Sequence, residues 1–178
     1  MNHSSLSITF PSGKTEQVPF DTPISNLLQH FEPTNDEILA VRINNEICSL
    51  DSNVEINCKL EPVLKNTKDG ANIYRRSLCL LLATAAHNLF PASHLLVGHS
   101  LGYGYYYTLD TGAPITQEQI TSLENEMQRL VQQDLPVTTK TISYEDAINL
   151  FEELNLTETR KQLNYIAPQK IKINCIDN

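Results

Sequence analysis

LSITFPSGKTEQVPFDTPISNLLQHF, residues 6–31, sets the fold of the first part of the chain. Leu6, Ile8 and Phe10 alternate with Ser7 and Thr9, the period of two that a half-buried strand requires. Pro11-Ser12-Gly13-Lys14 supplies turn chemistry, and the return strand runs from Thr15 to Phe20. Asp21-Thr22-Pro23 then offers a cap residue with a proline near the first helical position. Ile24, Leu27, Leu28 and Phe31 follow at the three-and-four spacing of one buried helix face.

Downstream of this stretch, Ile38 to Ile43 is apolar and rich in β-branched residues, Asn44-Asn45 makes a tight turn, and Ile47 to Leu50 returns. Val54, Ile56, Cys58 and Leu60 alternate and predict one further strand over 54–60. The order, two strands, a helix and three strands, is that of a β-grasp over residues 1–62. A polar stretch with Pro62 and Gly70 follows, and 63–70 reads as a linker. Residues 71–178 predict a second domain. In it a helix from Tyr74 to Leu89 ends before Pro91, and Leu95–Val97 with Gly104–Leu109 form a hairpin. Thr116 and Gln119 have capping-box spacing for a helix that turns Ile120, Leu123, Met127, Leu130 and Val131 inward. Val137–Ile142 is a strand, a helix begins at Ser143 with Ala147, Leu150, Phe151 and Leu154 buried, and Lys170–Ile176 is a terminal strand. The chain is therefore α+β.

The chain has 178 residues, 40% of them hydrophobic, enough to give each of two small domains a core. Its longest apolar run, Leu78 to Ala86, is far short of the roughly 20 residues of a membrane span. Met1-Asn2-His3-Ser4-Ser5 has neither the basic start nor the apolar core of a secretory signal, so a cytoplasmic location is expected. Cys48, Cys58, Cys79 and Cys175 form no C-x-x-C pair and read as reduced thiols, with no metal and no cofactor implied. The net charge of −8 argues against tight binding to phosphate backbones in general, which relies on clustered Lys and Arg. Residues 1–62 carry 3 basic and 9 acidic side chains, the remainder 10 and 12. A phosphate-facing surface therefore belongs to the second part.

The segments LSITFPSGKTEQVPFDTPISNLLQHF and ILAVRINNEICSLDSNVEINCKLEPV (38–63) resemble the TGS domain of threonyl-tRNA synthetases, some GTPases and stringent-response synthetases. YRRSLCLLLATAAHNLFP (74–91), GYGYYYTLD (102–110), PITQEQITSLENEMQRLVQQDLPV (114–137) and ISYEDAINLFEELN (142–155) resemble, in order, the editing domain of those synthetases. The resemblance implies a β-grasp domain followed by an editing-like α/β sandwich domain. Family members open the first long helix with H-x-x-x-H, one turn apart on one face. Those positions here are Arg76 and Leu80. The family's closing Cys-x-x-x-His is also incomplete, because only Ile176, Asp177 and Asn178 follow Cys175. Leucine cannot accept a proton and arginine keeps its own, so hydrolytic editing is not carried over. RRSL (75–78) and GHSL (98–101) are similar to the amino-terminal region of bacterial uridine-kinase-like proteins, where the same two domains precede a P-loop kinase domain. This sequence has no G-x-x-x-x-G-K-[ST] loop, and the resemblance implies an amino-terminal fragment of such a protein.

The candidate ligand-binding residues are Arg76, His99, Ser100, Tyr106 and Lys140. Arg76 replaces the first family histidine and has a fork of donors for an anion, with Glu126 or Asp110 as salt-bridge alternatives. His99 reads as a turn residue that could meet a phosphate, a ribose hydroxyl or a base edge, or simply hydrogen-bond the turn. Tyr105, Tyr106 and Tyr107 alternate faces, so at least one ring is free to stack on a base. Lys140 falls near a cleft-facing lysine of the synthetases. Gly98-His99-Ser100-Leu101-Gly102 also spells the G-x-S-x-G nucleophile elbow, which needs a strand before the serine and a helix after it. His87 and His94 flank Pro91 and read as surface residues.

Three functions fit. The first is a noncatalytic module binding a nucleotide, a nucleoside or structured RNA and regulating a following kinase domain. The others are a diverged hydrolase using His99 and Ser100, and a structural arm that homodimerises through the β-grasp sheet edge.

Overall fold

A computed structural model describes residues 5–31, 37–102, 104–165 and 169–176. The chain divides into two compact units, one up to Leu78 and one from Cys79. In the first, β1 (Ser5–Thr9) and β2 (Thr15–Pro19) form the expected hairpin, paired from Ser5 opposite Pro19 to Thr9 opposite Thr15. Two-residue strands β3 (Thr22–Pro23) and β6 (Asn53–Val54) pair as a small ribbon. With β4 (Ile38–Ile43), β5 (Glu46–Cys48) and β7 (Cys58–Leu64), the main sheet has the order β2-β1-β7-β4-β5. Strand β1 runs parallel to β7, and the other neighbours are antiparallel. The helix is a 3-10 turn, Ile24–His30. Ile24, Leu27, Leu28 and Phe31 are all buried, packed with Leu6, Ile8, Phe10, Val41 and Leu60. This is the β-grasp. Asn44 and Asn45 both have positive φ, 47° and 79°, as the type I′ hairpin turn requires at its two central residues.

Two expectations for this unit are corrected. The alternating run 54–60 is not one strand. Val54 pairs with β3, Cys58 begins β7, and Ile56 between them is 54% exposed. The crossing is held by Asn57, whose side-chain oxygen accepts from the Ser7 amide at 2.8 Å, and whose carbonyl accepts from the Asn44 side chain. The stretch 63–70 is also structured. Strand β7 passes through Pro62 to Leu64, and helix α1 (Lys68–Leu89) begins three residues after the turn opens. Val63 is buried, and Leu64 packs against the core at the end of β7. Arg42 on β4 pairs with Asp69 in the first turn of α1 and lies 3.9 Å from Glu61.

The second unit holds the remainder of α1, the hairpin β8 (His94–Leu101) and β9 (Gly104–Asp110), helix α2 (Gln117–Gln132), β10 (Val137–Ser143), α3 (Tyr144–Glu153), α4 (Thr157–Leu163) and β11 (Lys170–Ile176). Helix α2 opens on the expected capping box. Thr116 Oγ1 accepts from the Gln119 amide, and the Gln119 side chain accepts from the Thr116 amide at 2.9 Å, an arrangement worth about 1 kcal/mol. Ala85, Ala86, Leu123 and Leu130 form one core with Leu95 and Leu109 of the hairpin. Ala147, Phe151 and Leu163 form another, against Ile142, Ile171 and Ile173 of the antiparallel β10–β11 pair. Val131 and Leu154, expected inside, are 63% and 48% exposed. Val131 lies one residue past buried Leu130, turned about 100° around the helix, and Leu154 is the C-cap of α3, beyond its packed face. Among the described residues no helix is long and apolar enough to cross a membrane.

Candidate functional site

The paired strands β8 and β9 carry three of the five candidates. Leu96 faces Thr108 and Val97 faces Tyr107, but the next pair is Ser100 with Tyr105, so β8 bulges at Gly98-His99. A bulge puts two residues opposite one and re-aims a side chain. Here it lays the His99 imidazole on the Tyr106 ring, with centroids 5.8 Å apart and planes 18° from parallel. A Cβ at Gly98 would stand 3.1 Å from the Tyr106 carbonyl oxygen, so glycine permits the close approach of the two strands. His99 is thus a strand residue and not a turn residue. Tyr106 is 54% exposed, and the result is an open two-ring aromatic face.

Tyr105 and Tyr107 point to the other side, as alternation predicts, with ring centroids 6.5 Å apart. Tyr107 reaches α1, where its hydroxyl lies 3.2 Å from Cys79 Sγ. Burial, and next the hydrogen bond with Cys79, push the Tyr107 phenol up to about 12. It therefore stays neutral at any physiological pH. This pair escaped sequence reasoning, because the spacing of 28 residues carries no local signal.

The strand-forming run after Ser100 is a strand, so the helix that a nucleophile elbow needs does not follow the serine. Ser100 lies within β8 and is followed by β9, and no hydrogen bond of the kind a serine–base pair needs joins the side chains of His99 and Ser100. Tyr103 lies outside the described residues, as do Asp177 and Asn178.

Arg76 is exposed on α1, within the unit that ends at Leu78. Its neighbour Arg75 is turned back along the helix, donating to the Ala71 carbonyl at 3.2 Å and to Asn72 Oδ1 at 2.8 Å. Glu126, one salt-bridge partner considered for Arg76, is engaged elsewhere. It accepts from Arg129 at 2.7 Å through both oxygens and from Asn88 at 2.8 Å. Lys140 is exposed on β10 opposite Ile173, in a different sheet from His99 and Tyr106. The structure thus brings together His99 and Tyr106, leaves Ser100 beside them on the strand, and places Lys140 on the separate β10–β11 pair.

The hydrogen bonds from Arg129 and then Asn88 hold the Glu126 carboxyl at about 2, below its ordinary 4.5. A depressed folded value contributes stability that is complete above the unfolded value and lost as pH falls through the folded one. Glu126→Gln is therefore expected to flatten the loss of thermal stability between pH 4.5 and about 2, measured as melting temperature against pH. An unchanged acid limb would remove Glu126 from that role.

The fold is thus a β-grasp followed by an α+β unit that carries an open aromatic face. No family model matches the chain. It is 33% identical over 84% of its length to the threonine–tRNA ligase of Enterococcus faecalis, 23% of that protein. It is 28% identical over 83% to that of Desulforamulus reducens, 24% of the protein, and 29% identical over 84% to that of Listeria welshimeri, 23% of the protein. The chain thus spans about a quarter of the length of these relatives. Most of it is similar to threonine–tRNA ligases, in agreement with the resemblance of its two segments to their TGS and editing modules.

Proposed function

We propose that this chain is a noncatalytic RNA-recognition module of threonyl-tRNA-synthetase type, in which an ancestral editing scaffold is kept for binding. The observation that supports it is the pairing of that similarity with Arg76 and Leu80 at the two helix positions where the editing family has histidines. The aromatic face of His99 and Tyr106 offers a stacking surface that any base can use, and Arg76 offers a fork for a phosphate. The division at 1–62 and 71–178 is kept as the working boundary of the two modules. The RRSL and GHSL motifs support a narrower reading, in which the module regulates a nucleoside-kinase-type domain through a nucleotide, nucleoside or RNA signal.

The test is binding of unacylated tRNA by fluorescence anisotropy, with Tyr106→Ala and Arg76→Ala beside the parent chain. Loss of one stacked base costs about 1–3 kcal/mol, so Tyr106→Ala should weaken binding from about fivefold to a hundredfold. Parent binding that both variants leave unchanged would sink the reading. Release of amino acid from a mischarged tRNA, lost in Ser100→Ala, would instead establish the hydrolase alternative.

A further inference from the structure

We propose that the cavity formed where the last turns of α1 meet the start of β8 and the α3–α4 connection binds an uncharged, donor-rich ring compound such as an unphosphorylated nucleoside. The cavity has a volume of about 280 Å³, near the lower end of small-ligand sites. Its wall is apolar, built from Ala83, Ala86, Leu95, Leu96, Leu154 and Leu156. Leu96, Leu154 and Leu156 are 41%, 48% and 39% exposed. Apolar side chains left open to water on a shared concave surface mark a place where an apolar body sits.

The polar groups of the lining set the ligand's chemistry. His87, His94, Asp110, Asn155 and Glu158 line the cavity, with hydroxyls from Ser93, Thr157 and Thr159; no lysine or arginine lines it, and Glu158 accepts from Lys161 Nζ at 2.7 Å from outside the lining. Two carboxylates can only accept hydrogen bonds, and each neutral imidazole offers one donor and one acceptor. Such a lining suits hydroxyls and amino groups. Asp110, whose charge no lysine or arginine of the lining offsets, disfavours a phosphate. The lining also offers a free amino acid no lysine or arginine for its carboxylate. Leucines and imidazoles together suit the faces of a flat ring. His94 and Asp110 face each other across the β8–β9 pairing, so strand register fixes one acceptor and one imidazole side by side. None of this draws on Arg76, His99 or Tyr106, and the site stands apart from the aromatic face.

Isothermal titration of the whole chain with adenosine and cytidine, and with their 5′-monophosphates, tests the proposal. The nucleosides are expected to bind at least about tenfold more tightly than the monophosphates. Ala83→Leu places bulk in the cavity from an exposed helix position without a helix-propensity penalty, and should weaken nucleoside binding about tenfold or more. Asp110→Asn should both weaken nucleosides and narrow their advantage over monophosphates. Arg76→Ala and Tyr106→Ala should leave nucleoside affinity within about twofold. No nucleoside binding, equal binding of monophosphates, full binding by folded Ala83→Leu, or loss in Tyr106→Ala would each overturn it.

Discussion

Gly70→Ala is expected to destabilise the β-grasp unit by roughly 2 kcal/mol or more, although helix propensity alone predicts the opposite. Replacing an exposed helical glycine by alanine gains about 1 kcal/mol. Gly70, in the first turn of α1, is buried, and a Cβ there would stand 2.0 Å from the Leu64 carbonyl oxygen and 2.9 Å from Lys65 Cα. Both neighbours are backbone, so no side chain can swing aside. Overpacking of this kind costs about 1–3 kcal/mol and sometimes more, and relief requires moving the end of β7 or unwinding the turn that carries Asp69 to Arg42. Chemical denaturation of Gly70→Ala and of Ser77→Ala, an exposed position on the same helix, separates the two effects. A gain in both variants would mean that the helix start is free to move.

Phe10→Ala should cost more, about 3–5 kcal/mol. Phe10 is 1% exposed, its ring centroid 4.9 Å from that of His30 and 5.8 Å from that of Phe31, the latter edge-on at 70°. It joins the end of β1 to the end of the 3-10 helix, so truncation opens a void between sheet and helix. A domain of this size has only about 5–15 kcal/mol in total. The variant is expected to lose a large part of the first unit's cooperative transition, followed by urea unfolding. A change below about 1 kcal/mol would mean that the surrounding core collapses around the gap.

Local patterns carried most of the architecture. The β1–β2 hairpin, the Asn44-Asn45 turn, the Thr116 capping box and strand β11 each rest on signals within a few residues, and each is present. What failed depends on partners far along the chain. Val54, Ile56, Cys58 and Leu60 alternate like one strand, but Val54 pairs with Thr22 and Cys58 with Ile8, and the break between them is a property of those partners. Helix α4 went unread because its seven residues, TETRKQL, bury only Leu163 and its N-cap Leu156 makes no side-chain cap. At the candidate site, the alternation of Tyr105, Tyr106 and Tyr107 was legible. The bulge that turns His99 onto Tyr106 was not, since register is fixed by β9.

The burial of Cys58 gives the β-grasp a built-in clock. This thiol is 7% exposed, sits in parallel register with Ile8, and is held above its ordinary acidity range by burial and then by the nearby Cys48. A thiol reacts as its thiolate, so an alkylating reagent meets Cys58 during excursions that open the core packed around it. Its labelling rate therefore reads the free energy of that local opening, on the native protein and without denaturant.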